Sequence, residues 1–243
     1  MAILTVAACA HQMTAVRTSG YAPKWHVGDW WIVSEWTGYE WRYGRYDLLG
    51  IENFDSRECF VLQEKRADTS ATPDGERTLF YIRNDNWRVV RVASYNKSGG
   101  PYLTNYPQGT YGFAPGQPRF PWFPLDTSAA QNSTFRRYQI TRSVRGVLRQ
   151  HSSPADSVLI RRYATREVPP SARDSRFATG TMFSVLVEWG VPRQTRVPDH
   201  YSLQLWSSDC PWRLYEEEGV YAPDGIRDPF LRTWLVAWGH SAK

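Results

Sequence analysis

The sequence predicts a mainly β, antiparallel protein: one strongly curved sheet, a cup or half-barrel, with long aromatic and proline-rich loops and few helices. Three observations carry this. No segment holds a 3.6-residue apolar period over three turns. Short runs of alternating β-branched and aromatic residues recur between Gly, Pro, Asn and Asp turn signals. Aromatic side chains make up 15% of the 243 residues, and the 12 Trp exceed what a core of this size consumes, so some rings must line a cleft or an interface.

Taken in order, the first strand follows the turn signal Gly28-Asp29 and runs to Trp36. Period-2 alternation places Trp30, Ile32, Ser34 and Trp36 on one face and Trp31, Val33 and Glu35 on the other. Strands over 46–51 and 58–65 follow, the latter with Cys59, Val61 and Gln63 opposed to Phe60, Leu62 and Glu64. The clearest hairpin joins 79–83 to 87–92 through Asn84-Asp85-Asn86, residue types that tolerate positive φ. From Asn96 to Leu125, Gly, Pro, Tyr and Phe predict an ordered loop that ends in Phe120-Pro121-Trp122-Phe123-Pro124-Leu125. A second β block is expected over 135–142, 143–150, 157–165, 181–189 and 200–206, with the apolar segment 230–238 completing the sheet.

The apolar run that opens the chain ends in Val6-Ala7-Ala8-Cys9. An aliphatic residue three before a cysteine, then two small residues, resembles the lipobox of bacterial lipoprotein precursors. The resemblance implies acylation of Cys9 (palmitate), loss of the preceding signal peptide, and an extracytoplasmic, membrane-anchored location in the bacterial cell envelope. No Lys or Arg precedes the run, so the charged part of such a signal is expected upstream of Met1. The organisation that follows is a signal remnant over 1–9, a polar tether over 10–23 and one β domain over 24–243. The alternative is two β sub-units meeting near 126–134.

With Cys9 set aside, Cys59 and Cys210 form an even pair and a disulfide candidate. Closing a loop of that length would stabilise by roughly 4–5 kcal/mol on the loop-entropy model; the alternative is a pair of buried thiols. The net charge of +5 arises from 136–176, which holds ten Arg against Asp156, Glu167 and Asp174. A solvated strand face accounts for this stretch; anionic headgroups or acidic glycans are the alternative partner. Nucleic acid is not expected, since the charge is moderate and no recognition motif is present.

Catalytic motifs are absent: no Gly-x-Ser-x-Gly elbow, zinc helix, phosphate loop or dinucleotide fingerprint occurs, and no Cys or His spacing spells a metal site. No cofactor and no catalytic residue is assigned. Glu216-Glu217-Glu218 reads as a solvated, like-charged loop, and Asp199-His200 as a turn. The most suggestive set is aromatic: Trp36, Tyr39, Trp41 and Tyr43, with Arg42 and Arg45 interleaved and Trp122 in the distant loop. Tyr39, Trp41 and Tyr43 alternate, so an extended chain presents them together to stack sugar rings or hold acyl chains. The expected function is a non-enzymatic lipoprotein, a binding or structural accessory whose aromatic face takes an apolar, glycan or protein ligand of the envelope. The alternative is an envelope hydrolase acting on glycans through paired carboxylates from separate strands.

Overall fold

The computed structural model describes residues 22–66, 76–96, 99–110, 131–136, 139–144, 147–152, 157–165, 177, 180, 182–190 and 200–241; for 99, 107–110, 131–165, 183, 189 and 190 the description is of the backbone alone. The chain is mainly β. Among the described residues, fourteen strands form one antiparallel sheet and no helix occurs. The first six strands are a meander: β1 (Asp29–Trp36), β2 (Trp41–Phe54), β3 (Arg57–Arg66), β4 (Arg77–Arg83), β5 (Val89–Asn96) and β6 (Gly99–Thr110). Then come β7 (Gln131–Arg136), β8 (Gln139–Val144), β9 (Val147–Ser152) and β10 (Ser157–Thr165). The last four are β11 (Met182–Gly190), β12 (His200–Ser207), β13 (Tyr215–Tyr221) and β14 (Arg227–His240). The spatial order is β7-β10-β11-β12-β13-β14-β1-β2-β3-β4-β5-β6-β8-β9, so the last strand pairs with the first and welds the two halves of the chain into one ladder.

The expected face assignment of β1 holds. Trp31 and Val33 are buried in the main core, and Tyr46 and Leu48 of β2, Phe60 and Leu62 of β3 and Phe80 and Ile82 of β4 continue that inner face across the ladder. Cys210, Trp212 and Leu214, between β12 and β13, cap it from the other half. Trp25 lies across the same end. Its ring is 4.7 Å from Trp87, 5.3 Å from Trp31 and 6.0 Å from Trp212, and its Nε1 donates to the Pro211 carbonyl at 2.6 Å. Trp31 and Trp212 stack at 4.7 Å. This end of the sheet, where the β2–β3 and β4–β5 turns lie, is plugged with indole. The opposite end carries the β1–β2 and β13–β14 turns.

Several expectations change. The chain is not irregular throughout 96–125: β6 occupies Gly99–Thr110, while 111–125, including Trp122, lie outside the described residues, as do Cys9, the 1–9 signal remnant and residues 10–21 of the tether. The 84–86 turn is present, but the positive φ falls on Trp87, at 60°, because its indole must swing under Trp25 and Phe60. Glu216-Glu217-Glu218 is no loop: it is the body of β13. The disulfide is not formed. Cys59 and Cys210 are both buried thiols, and each Sγ turns to a carbonyl of its own, Cys59 to Arg57 and Cys210 to Phe177. Cys59 alternates with Phe60, so it faces away from the core that Cys210 joins.

Gly219 shows why the register of β13 and β14 shifts at Glu218/Gly219. A Cβ there would stand 2.2 Å from the Asp228 carbonyl oxygen, so only glycine permits the close approach of the bulge.

Trp212 touches Trp25, Trp31, Tyr46 and Trp206 and is fully buried. Trp212→Ala is expected to lower unfolding free energy by about 3–5 kcal/mol. Urea denaturation would show it as a lower midpoint at unchanged slope.

Candidate functional site

Along three strands that run toward the open end, the inner face changes in the same way from apolar to acidic. In β1 it reads Trp31, Val33, Glu35; in β3 Phe60, Leu62, Glu64; and entering β13 Leu214, Glu216, Glu218. Glu216 and Glu218 are only 2% and 4% exposed. Burying such groups requires partners, and they are present. Arg213, itself buried, bonds Glu216 Oε2 at 2.8 Å. The Ser202 hydroxyl and Gln204 Nε2 donate to Glu216 Oε1 at 2.9 and 3.0 Å, and Trp206 Nε1 donates to Gln204 Oε1 at 3.1 Å. A hydrogen-bonded chain thus runs from the indole plug to the carboxylates.

Above this network lies a cavity of about 460 Å³, lined by Val33 and Glu35 of β1, Arg42 to Gly44 and Tyr46 of β2, Glu64 to Arg66 of β3, Glu76 to Thr78 at β4 and Tyr95-Asn96 of β5. The volume suits a small-molecule ligand. Gly44 is the reason for the space. It sits on the inner face between Val33 and Arg66, and a Cβ there would make only ordinary contacts, at 3.5 Å, with Val33 and the Tyr46 ring.

Of the three carboxyls in the wall, Glu35 and Glu64 have pKa values raised toward neutrality. Burial raises the pKa of Glu64 to about 6, opposed by the Tyr46 hydroxyl, which donates to Glu64 Oε1 at 2.8 Å, and reinforced by the charge of Glu35. Glu35 is raised by burial too, against the pull of Arg42, with Glu216 adding repulsion and Arg213 relieving it. Tyr46 is held well above its ordinary value by burial and by the carboxylate it serves. Cations stand nearer the mouth: Arg42, held by Glu40, and Arg66 and Arg77, both exposed, with the Arg77 guanidinium 4.4 Å from the centre of the Tyr95 ring. The wall is therefore polar and mixed in sign, with hydroxyl, amide, carboxyl and guanidinium groups facing one space. Among the described residues, no three His, Cys, Asp or Glu are arranged to hold a metal ion.

The aromatic set divides between two faces and a turn. Trp36, Trp41 and Tyr43 share the outer face, where Trp41 is 57% and Tyr43 41% exposed, and Tyr43 also reaches the cavity mouth. Tyr39 does not alternate with them, because β2 begins at Trp41; it stands 98% exposed in the turn. Arg42 turns inward to the cavity. Arg45 faces outward, bonded to Asp47 at 2.8 Å with its guanidinium 4.9 Å from the Trp30 ring. Glu35, Glu64, Arg213 and Glu216 were not singled out as site residues. The signal that finds them is a carboxylate closing an apolar alternation, three times over.

Comparison with protein-family models, with curated proteins and with solved structures finds no match for this chain.

The raised pKa of Glu64 makes stability depend on pH in a defined sense. The folded state binds this proton more tightly than the unfolded chain, so its contribution is full below about pH 4.5 and falls as pH rises through about 6. The loss is worth about 2 kcal/mol. Glu64→Gln keeps an acceptor for Tyr46 and removes the titration. Urea unfolding at pH 4 and pH 7.5 is expected to show the wild type losing about 2 kcal/mol more than Glu64→Gln over that interval.

Proposed function

We propose that this chain is a binding protein of the bacterial envelope, anchored through Cys9, whose cavity holds a hydroxyl-rich glycan ligand. The observation that carries the reading is the composition of the cavity wall. Carboxyl, guanidinium, amide and phenol groups line one space, with Tyr43, Tyr46 and Tyr95 as its aromatic rings, which suits a ligand that presents many hydroxyls and a hydrophobic ring face better than a purely apolar cargo. The sheet in this proposal is curved as a cup. Supporting the curvature, Trp87 from the β4–β5 turn and Trp212 from the β12–β13 connection both pack on the Trp25 ring, at 4.7 and 6.0 Å, although five strand spacings separate β4 from β13 in the ladder, about 24 Å if flat at ~4.8 Å each.

A second reading has a specific observation in its favour. Glu35 and Glu64 stand on separate strands, line the same cavity and both have raised pKa values, which is what a glycan hydrolase asks of its proton donor. In that reading Glu64, near pH 6, protonates the leaving oxygen.

The test fills the cavity from its own wall. In calorimetric titrations with chitobiose and with the disaccharide repeat of peptidoglycan, the wild type is expected to bind one of them. Gly44→Leu is expected to bind about tenfold more weakly or not at all, at unchanged melting temperature. No heat with either sugar would overturn the proposal; cleavage of the bound disaccharide, lost in Glu64→Gln, would install the hydrolase in its place.

The anchor is tested separately, by intact mass of protein recovered from bacterial membranes after expression with the upstream in-frame start. A diacyl or triacyl mass beginning at Cys9, lost in Cys9→Ala, is the expected result. An unmodified chain retaining Met1 would remove the anchor.

A further inference from the structure

The cavity leaves the aromatic groups of the outer face unused, and the register organises them. Glu217, Arg232, Trp36 and Trp41 form one row across β13, β14, β1 and β2, and Tyr215, Trp234, Ser34 and Tyr43 form the next. Four neighbouring strands span about 14 Å; Tyr215, on β13, is buried in the core, so the accessible rings are those of β14, β1 and β2.

These side chains are fixed before any ligand arrives. Glu217 accepts hydrogen bonds from the hydroxyls of Tyr201 and Tyr215, both at 3.0 Å, and from Arg232 Nε at 3.1 Å. The Arg232 guanidinium lies 5.5 Å from the centre of the Trp36 ring. Small Ser34, buried between them, lets the rings of Trp41 and Trp234 approach to 5.3 Å above it. Beyond the first row the turn projects Tyr39 almost wholly into solvent. Rigid rings lose little entropy on binding.

Charge selects among occupants. Arg232 is matched by Glu217 and Arg45 by Asp47, so the platform is aromatic and close to neutral. An anionic bilayer is drawn by unmatched cations. A neutral polyol instead needs flat rings for its C–H faces and fixed polar groups for its hydroxyls, and both are present. Position agrees. The described chain enters the fold beside Trp25, at the plugged end, whereas Trp36, Tyr39 and Trp41 stand at the opposite end. This last argument rests on the anchor reading, since it takes Cys9 to hold the plugged end toward the membrane.

We propose that the outer face of β13-β14-β1-β2 is a second binding surface, for an extended glycan chain whose pyranose rings stack on Trp41 and Tyr43 while Arg232 bonds their hydroxyls. It lies on the opposite face of the sheet from Glu35 and Glu64, and the two sites share only Tyr43, which also lines the cavity mouth.

The experiment uses the full chain carrying Cys9→Ala, so that no lipid contributes, in cosedimentation with peptidoglycan sacculi, chitin and cellulose, and in flotation with phosphatidylcholine/phosphatidylglycerol vesicles. The protein is expected to sediment with at least one glycan and not to float. Trp41→Ala and Tyr39→Ala are each expected to weaken glycan retention about tenfold, whereas Gly44→Leu retains it, which separates this surface from the cavity. Tyr39 touches too little for its loss to unfold the chain, so that variant decides even if Trp41→Ala is destabilised. Absence of retention on all three polymers, retention unchanged in Tyr39→Ala and Trp41→Ala, or flotation that those variants abolish would each overturn the proposal.

Discussion

The stack of Trp25, Trp31 and Trp212 is the contact on which the rest of this fold depends. It gathers one residue that precedes the first strand, one inside it and one from the connection between β12 and β13, and the hydrogen bond from Trp25 to the Pro211 carbonyl fixes their approach. The pairing of β14 with β1 joins the halves of the chain through backbone, and the stack joins them through side chains. The two constraints share the start of β1. There Asp29 accepts from the His26 amide and lies 3.0 Å from His240 Nδ1, and Ser241 N donates to the Gly28 carbonyl, so the last strand is pinned where the first begins. A sheet assembled from contacts this distant in sequence pays a large loop-closure cost, and large ring surfaces are what offset it.

An indole plug at one end has an electrostatic consequence at the other. Arg213 follows Trp212 directly, so placing the indole in the stack carries the guanidinium, 4.9 Å from that ring, into the buried interior, where it meets Glu216. One buried cation then serves several carboxylates. Glu216 receives the direct bond; Glu35 and Glu64 feel Arg213 only through space and are left to burial, which lifts both. The electrostatics of the cavity wall thus depend on the packing of the indole plug. Removing the cation would leave buried carboxylates without an adjacent charge, the costliest arrangement in such an interior.

Much of this was legible in the sequence, because a two-residue period survives in nearly every strand. The faces of β1 and β3, the long β14 and the 84–86 turn are all readable from alternation and turn residues. What escaped did so for identifiable reasons. Three adjacent glutamates read as solvated by composition alone, but in β13 the pleat sends Glu216 and Glu218 inward and Glu217 outward, to different partners. Cys59 and Cys210 looked like a pair by count, but alternation had already set Cys59 against Phe60. Tyr39 keeps step with Trp41 and Tyr43 in the sequence, yet Gly38, at φ 88°, and the Thr37 N to Glu40 carbonyl bond turn the chain there.

The β1–β2 hairpin is where the two surfaces meet, and its register decides both. Glu35 opposite Arg42 points to the cavity; the next pair, Trp36 opposite Trp41, points to the outer platform. Since the side-chain period is two, a slip of one residue would send the acid and its arginine outward and two indoles into a charged cavity. The tight turn over Gly38 fixes the pairing from above, and Trp31 opposite Tyr46, both buried in the stack, fixes it from below. Inner chemistry and outer recognition are thereby set by one constraint. The same large rings that close the core also make that register the only one in which neither surface is buried at a loss.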